Sequence, residues 1–132
     1  MRLIINYRMK KLASQINAPL ELLPAIGVEN HSGKPYIRIF FPAYYLIAFD
    51  NGINVYKKRF FNIDDLLYEV FEQVTFDMAL QYELKNRILG QDFRRLAFEY
   101  QLELMRQLSS QWYNNLSMKI EAILEKHPYN DK

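Results

Sequence analysis

The sequence predicts an α+β fold: an N-terminal helix, a small antiparallel β-meander of three to four strands, then three C-terminal α-helices packed on one face. Two observations carry this expectation. Apolar residues repeat at helical spacing near the N-terminus, alternate with a period of two in the second quarter, and return to helical spacing from Asn62 onward. The strand-like runs are grouped and not interleaved with helices, which selects α+β over a parallel βαβ fold. The chain has 132 residues, half of them hydrophobic. That is the length of one domain with a real core, and 1–132 is read as one, with an N-terminal helix and meander (1–61) and a helical half (62–132).

Ile5, Met9, Leu12 and Ile16 form one helical stripe, and Pro19 ends that helix by pushing its predecessor out of the helical region. "NAPLELLPAIG" is a connection in which "PLELL" can form one helical turn. "PYIRIF" alternates, with Ile37 and Ile39 on one side and Tyr36 and Arg38 on the other. "YYLIAF" and "INVYKKRF" are rich in strand formers, and Asn51-Gly52 between them is a strong hairpin signal because both residues tolerate positive φ. Phe41-Pro42-Ala43 is the tight link before them, and "AIGVE" is the candidate fourth strand. Lys57, Lys58 and Arg59 suit an edge strand, where charge blunts pairing with other chains.

Asn62 can cap the next helix, with Asp64 and Asp65 at its positive end. Ile63, Leu66, Leu67, Val70, Val74 and Met78 form one apolar stripe, and Phe76, Leu80 and Leu84 a second. Such a helix is central, and it should run to about Arg87 and break near Gly90. Phe93, Leu96, Ala97, Tyr100 and Leu104 share a face of the following helix. Ser109 or Ser110 caps the last, with Trp112, Leu116, Ile120, Ile123 and Leu124 inward until Pro128 stops it.

Composition excludes several function classes. There is no Cys, hence no disulfide scaffold, Cys-ligated zinc or thiol nucleophile. The start reads as no signal peptide, and the longest apolar stretch, residues 39–49, contains Pro42 and falls short of the roughly 20 residues of a membrane span. A soluble cytoplasmic protein is expected. Net charge is +2, but residues 1–60 carry nine Lys/Arg against three Asp/Glu, and residues 61–132 eight against twelve. The basic triplet at 57–59 stands alone, without a nucleic-acid-binding motif, so no nucleic-acid partner is expected.

Catalytic candidates are few. His31 and His127 are the two histidines, one in a turn and one beside Pro128, and both read as loop residues. No HExxH, Gly-x-Ser-x-Gly or Gly-rich phosphate loop occurs, so neither metal nor cofactor is expected. The central helix carries Glu69, Glu72, Asp77 and Glu83, and Glu83 is correctly spaced to pair with Arg87. At its far end lies "GQDFRR", residues 90–95. Asp92 can cap the helix that begins there and pair with Arg95, which can also reach Glu99. Arg94 points elsewhere. The arginines either bind a phosphate or carboxylate from outside or clamp two helices together.

The order of "APLELLPAIG", "KPYIRI", "LLYEVFEQVTFDMALQYELKNR", "QDFRR", "QLELMRQL" and "ILEKHPYND" resembles the bacterial polymorphic-toxin immunity family known as immunity protein 63. The most specific pieces are Leu67-Tyr68 with Phe71, Val74-Thr75-Phe76 with Met78-Ala79, Tyr82-Glu83, and Asp92-Phe93-Arg94-Arg95. The resemblance implies a small cytoplasmic antidote that binds a cognate toxin domain and blocks it without catalysis. It carries over no catalytic residue. Under that reading Glu69, Glu72, Asp77, Glu83 and Arg94 are the candidate toxin contacts, an acidic surface suited to a basic nuclease site. Asp92, Arg95 and Glu99 are the candidate structural ion network. The rival reading is a small enzyme or ligand-binding protein with a polar pocket between sheet and helices.

Overall fold

The computed structural model describes residues 1–28 and 32–132; His31 and the loop reading made of it lie outside these. The elements in order are α1 (Arg2–Gln15), a single 3-10 turn (Leu20–Leu22), β1 (Ala25–Ile26), β2 (Tyr36–Phe40), β3 (Ala43–Asp50), β4 (Ile53–Phe60), α2 (Ile63–Lys85), α3 (Phe93–Leu108) and α4 (Ser110–Lys126). The class is α+β, with an N-terminal helix, a four-stranded sheet and three C-terminal helices. Contacts divide the chain into two compact units, Met1–Ser14 with Pro19–Val70, and Gln15–Ala18 with Phe71–Lys132.

In the first unit the strands lie in the order β1-β2-β3-β4. β2, β3 and β4 form the expected antiparallel meander, whereas β1 pairs parallel to β2, which makes the sheet mixed. Two residues are too short a strand to show a period, so its direction is not written locally. The hairpin turn is the two residues Asn51 and Gly52, at φ 52° and 77°, the positive pair that a type I′ turn requires. The β2–β3 link holds a cis Phe41–Pro42 bond.

Strand alternation and register sort the side chains onto two faces. One face carries Ile37, Leu46 and Ala48, all buried, together with Tyr56, Lys58 and Phe60 of β4. Tyr56 and Lys58 both reach Glu69, which seats the first turns of α2 on this face with Leu66, Leu67 and Val70 buried. Asn62 caps α2 by accepting from the Asp65 N–H at 2.8 Å. In α1 the stripe Ile5, Met9 and Ala13 is buried, and Arg8 pairs with Asp64 at 2.6 Å. The other face carries two rows across the strands, Tyr36–Ile47–Lys57 and Arg38–Tyr45–Arg59.

In the second unit, α2 from Phe71 onward contributes Phe71, Val74, Thr75 and Ala79 to a core completed by Ala97, Phe98, Gln101, Leu104 and Met105 of α3 and Leu116 and Ile120 of α4. Phe71 stacks on Trp112 with ring centroids 6.1 Å apart, and Tyr82 on Tyr100 at 4.1 Å. Ser109 separates α3 from α4 in extended conformation and caps α4 by accepting from the Trp112 N–H. α2 ends at Lys85, two residues before the expected Arg87, and Leu84 of its second stripe is exposed. Gln101 is an inward polar residue that the apolar pattern does not reveal. It is 2 % exposed, and its Nε2 donates to the Glu72 carbonyl at 2.9 Å and to Thr75 Oγ1 at 3.3 Å.

Candidate functional site

"GQDFRR" is built around the returning C-terminal tail. Asp92 caps α3, accepting from the Arg94 N–H at 2.9 Å. Its carboxylate also accepts from the Arg94 guanidinium at 2.9 Å and from the Asn130 N–H at 2.9 Å. Arg94 then donates to the His127 and Pro128 carbonyls, both at 2.9 Å. Arg95 pairs with Asp131 at 2.8 Å and lies 4.2 Å over the Tyr129 ring. The Asp131 carboxylate accepts in turn from the Asp92 N–H, and the Lys132 N–H donates to the Gly90 carbonyl.

This corrects the pairing expected from helical spacing. Asp92 meets Arg94 and not Arg95, and Arg95 turns to Asp131 and not along its helix to Glu99, which is exposed. A capping residue lies outside the helix, so i,i+3 geometry does not govern it. The partners also come from over thirty residues away. Hydrogen bonds from the Arg94 side chain, then from the Asn130 and Arg94 backbone, hold the Asp92 carboxyl well below the usual carboxylate range. Burial raises the Tyr129 hydroxyl. With its guanidinium spread over Asp92 and two tail carbonyls, Arg94 is one-fifth exposed.

The four acids meet different surroundings. In the first unit Glu69 accepts from Tyr56 Oη at 2.8 Å and Lys58 Nζ at 2.9 Å, leaving its side chain 14 % exposed. In the second unit Glu72 pairs with Lys119. Glu83 is buried and takes a bidentate contact from Arg87 at 2.9 and 2.8 Å, which lowers its pKa. Asp77 is exposed, although neighbouring chain desolvates it enough to raise its pKa. Three of the four carboxylates are thus matched by this chain's own cations, and they do not present a run of open negative charge. The spacing along α2 was legible, but Lys58 and Lys119, which answer Glu69 and Glu72, lie on other elements.

The sheet carries a surface that the acids and histidines of the sequence do not mark. On the face away from α2 a groove of about 380 Å³ is lined by Tyr36, Arg38, Phe40, Tyr45, Ile47, Phe49, Asn54 and Lys57. None of these residues is acidic. Lys57 lies 5.3 Å over the Tyr45 ring. Tyr36 is 2 % exposed and stacks on Phe49, and its hydroxyl has no hydrogen-bond partner among the described residues. The signal in the sequence was the alternation of "PYIRIF", which already sets Tyr36 and Arg38 opposite Ile37 and Ile39.

An N-terminal helix, a hairpin-built sheet and three further helices define a small α+β protein. The family model for immunity protein 63 matches residues 42–122, more than half of the chain, and the chain belongs to that family. The matched segment begins at Pro42 and covers β3, β4, α2, α3 and most of α4. No curated protein and no solved structure matches the chain. Among the described residues no helix is long and apolar enough to cross a membrane.

Proposed function

We propose that this chain is an immunity protein that binds a cognate bacterial polymorphic toxin domain and neutralises it by direct, non-catalytic contact in the cytoplasm. Membership of the immunity protein 63 family over residues 42–122 carries the reading. A stable complex of standard size covers roughly 800 Å² of each partner, a small share of the 8448 Å² exposed here. A surface of that size can occlude a catalytic cleft without doing chemistry.

The test is co-expression. Any candidate toxin domain encoded beside this gene is expressed in bacteria with and without the full chain. Growth arrest by the toxin alone, rescue by this chain and a purified complex of the two are the expected results. Arrest that this chain does not relieve, with no complex on mixing the purified proteins, would sink the proposal. Conversion of the toxin or its product by catalytic amounts of this chain would replace it with an enzymatic reading.

A further inference from the structure

We propose that the toxin docks on the open face of the sheet, and that the surface received there is acidic, with one carboxylate side chain entering the groove between Arg38 and Lys57. The inference rests on the immunity reading and names the surface and the partner chemistry for it.

Three observations converge on this face. Its charge is of one sign. Arg38 and Lys57 line the groove, Arg59 sits beside Tyr45 in the next strand, and no lining residue is acidic. The acids of α2 contrast with this, since Lys58, Lys119 and Arg87 already answer three of them. The face also holds the side-chain types that anchor interfaces. Phe40 is 71 % exposed, and Tyr45 and Phe49 are half-buried beside the cations. Aromatic and Arg residues dominate binding energy when a partner desolvates them.

The third observation is the Tyr36 hydroxyl. It is buried against the groove with no partner among the described residues. A buried hydroxyl left unpaired is unfavourable, and such atoms are few in folded proteins. A carboxylate oxygen reaching the groove floor accepts a hydrogen bond from that hydroxyl, while Arg38 and Lys57 supply the countercharge at the rim. In the row Tyr36–Ile47–Lys57 the donor and one cation lie on the same line across the sheet.

A nucleic acid fits less well. Phosphate tracking uses a string of cations along a groove. Here Lys57 and Arg59 lie over the rings of Tyr45 and Phe61, and the orphan hydroxyl is below the rim. A concave, aromatic-walled slot with one deep polar atom suits an inserted side chain.

The experiment uses the purified full chain and the toxin domain whose growth arrest it relieves in the co-expression test, made inactive by substitution so that it can be handled. Wild-type binding is measured first, and its absence tells against the immunity reading itself. Given binding, the double variant Arg38→Glu/Lys57→Glu is expected to weaken it about a hundredfold or more, mostly through slower association at low salt. Its melting temperature should stay within about two degrees, since both side chains are exposed and surface changes are usually near neutral. If the reversal unfolds the sheet, Arg38→Gln/Lys57→Gln removes the charge at similar size and is expected to weaken binding about tenfold. Tyr36→Phe is expected to lower affinity about tenfold with melting unchanged or raised. Asp77→Lys should leave affinity within about twofold, as a surface change outside the proposed contacts does. A folded charge variant that binds like wild type overturns the proposal. So does Tyr36→Phe with unchanged affinity, or a single-stranded oligonucleotide that binds this face with steep salt dependence.

Discussion

Gln101 offers a sharp test of how the helical unit is assembled. Its side-chain amide is buried and donates to the Glu72 carbonyl and to Thr75 Oγ1. The Thr75 hydroxyl proton is already given to the Phe71 carbonyl at 2.6 Å, so the pocket faces the amide with acceptors. Gln101→Leu removes the donor but keeps the volume. Both acceptors retain a second bond, the Glu72 carbonyl from its own helix, so the change should cost no more than about 1 kcal/mol. Gln101→Glu keeps the shape and places a carboxylate against those acceptors. Full burial raises a carboxyl by up to about 3–5 pKa units, each worth 1.36 kcal/mol. At pH 7 the penalty is capped by the distance from the unfolded value near 4.3, giving about 3–4 kcal/mol. The sign follows from the raised folded pKa: the penalty is absent below about pH 4, grows as pH rises and levels off above the folded pKa. Urea denaturation of wild type and both variants at pH 4 and pH 7 reads this out. If Gln101→Glu matches Gln101→Leu at pH 7, with the same gap to wild type at both pH values, the acceptor-lined pocket is refuted.

The tail clamp gives three more expectations. Gly90 has φ +82°, and a Cβ there would lie 3.0 Å from the Lys132 carbonyl, so Gly90→Ala should cost about 1–2 kcal/mol; deleting residues 128–132 should shrink that cost, as thermal melts of the four chains will show. Asp92→Asn should be less stable than wild type at pH 7. Because the Asp92 pKa is lowered in the folded chain, its contribution exists above the unfolded value near 4 and fades as pH falls below it, so the two melting curves should converge in acid. Arg94→Ala should lower the melting temperature while leaving toxin affinity unchanged; weakened binding with unaltered melting would make Arg94 a contact.

What the sequence made legible was local. Asn51-Gly52 names its own turn because few residue pairs accept two positive φ values, and Ser109-Ser110 marks a cap, which Ser109 fills because the Trp112 N–H it satisfies is three residues away. Ile5 and Met9 declare α1 by spacing alone. What stayed hidden depends on residues that meet only after folding. Asp92 looked paired to Arg95 until the tail supplied Asn130, Asp131 and two carbonyls. Glu69 and Glu72 looked like open charge until Lys58 and Lys119 reached them. Gln101 sits in an apolar stripe that a hydropathy pattern would read as an interruption. The candidate binding face was half visible: alternation put Tyr36 and Arg38 together, but only the register against Tyr45, Ile47 and Lys57 turns them into a surface.

The Asn51-Gly52 hairpin has a consequence for how such a protein can change its target. Strand side chains alternate, so a one-residue slip in β4 would send Lys57 and Arg59 to the α2 side and bring Tyr56 and Lys58 out. The same slip would strip Glu69 of both its partners. Insertions or deletions near residues 50–53 that shift the register therefore damage the core and the outer face together. Substitutions at positions 38, 45, 57 and 59 do not carry that cost. If the outer face is the docking face proposed above, exchange of side chains on a fixed register is the route to a new partner that leaves the core intact, and a slip of β4 is not.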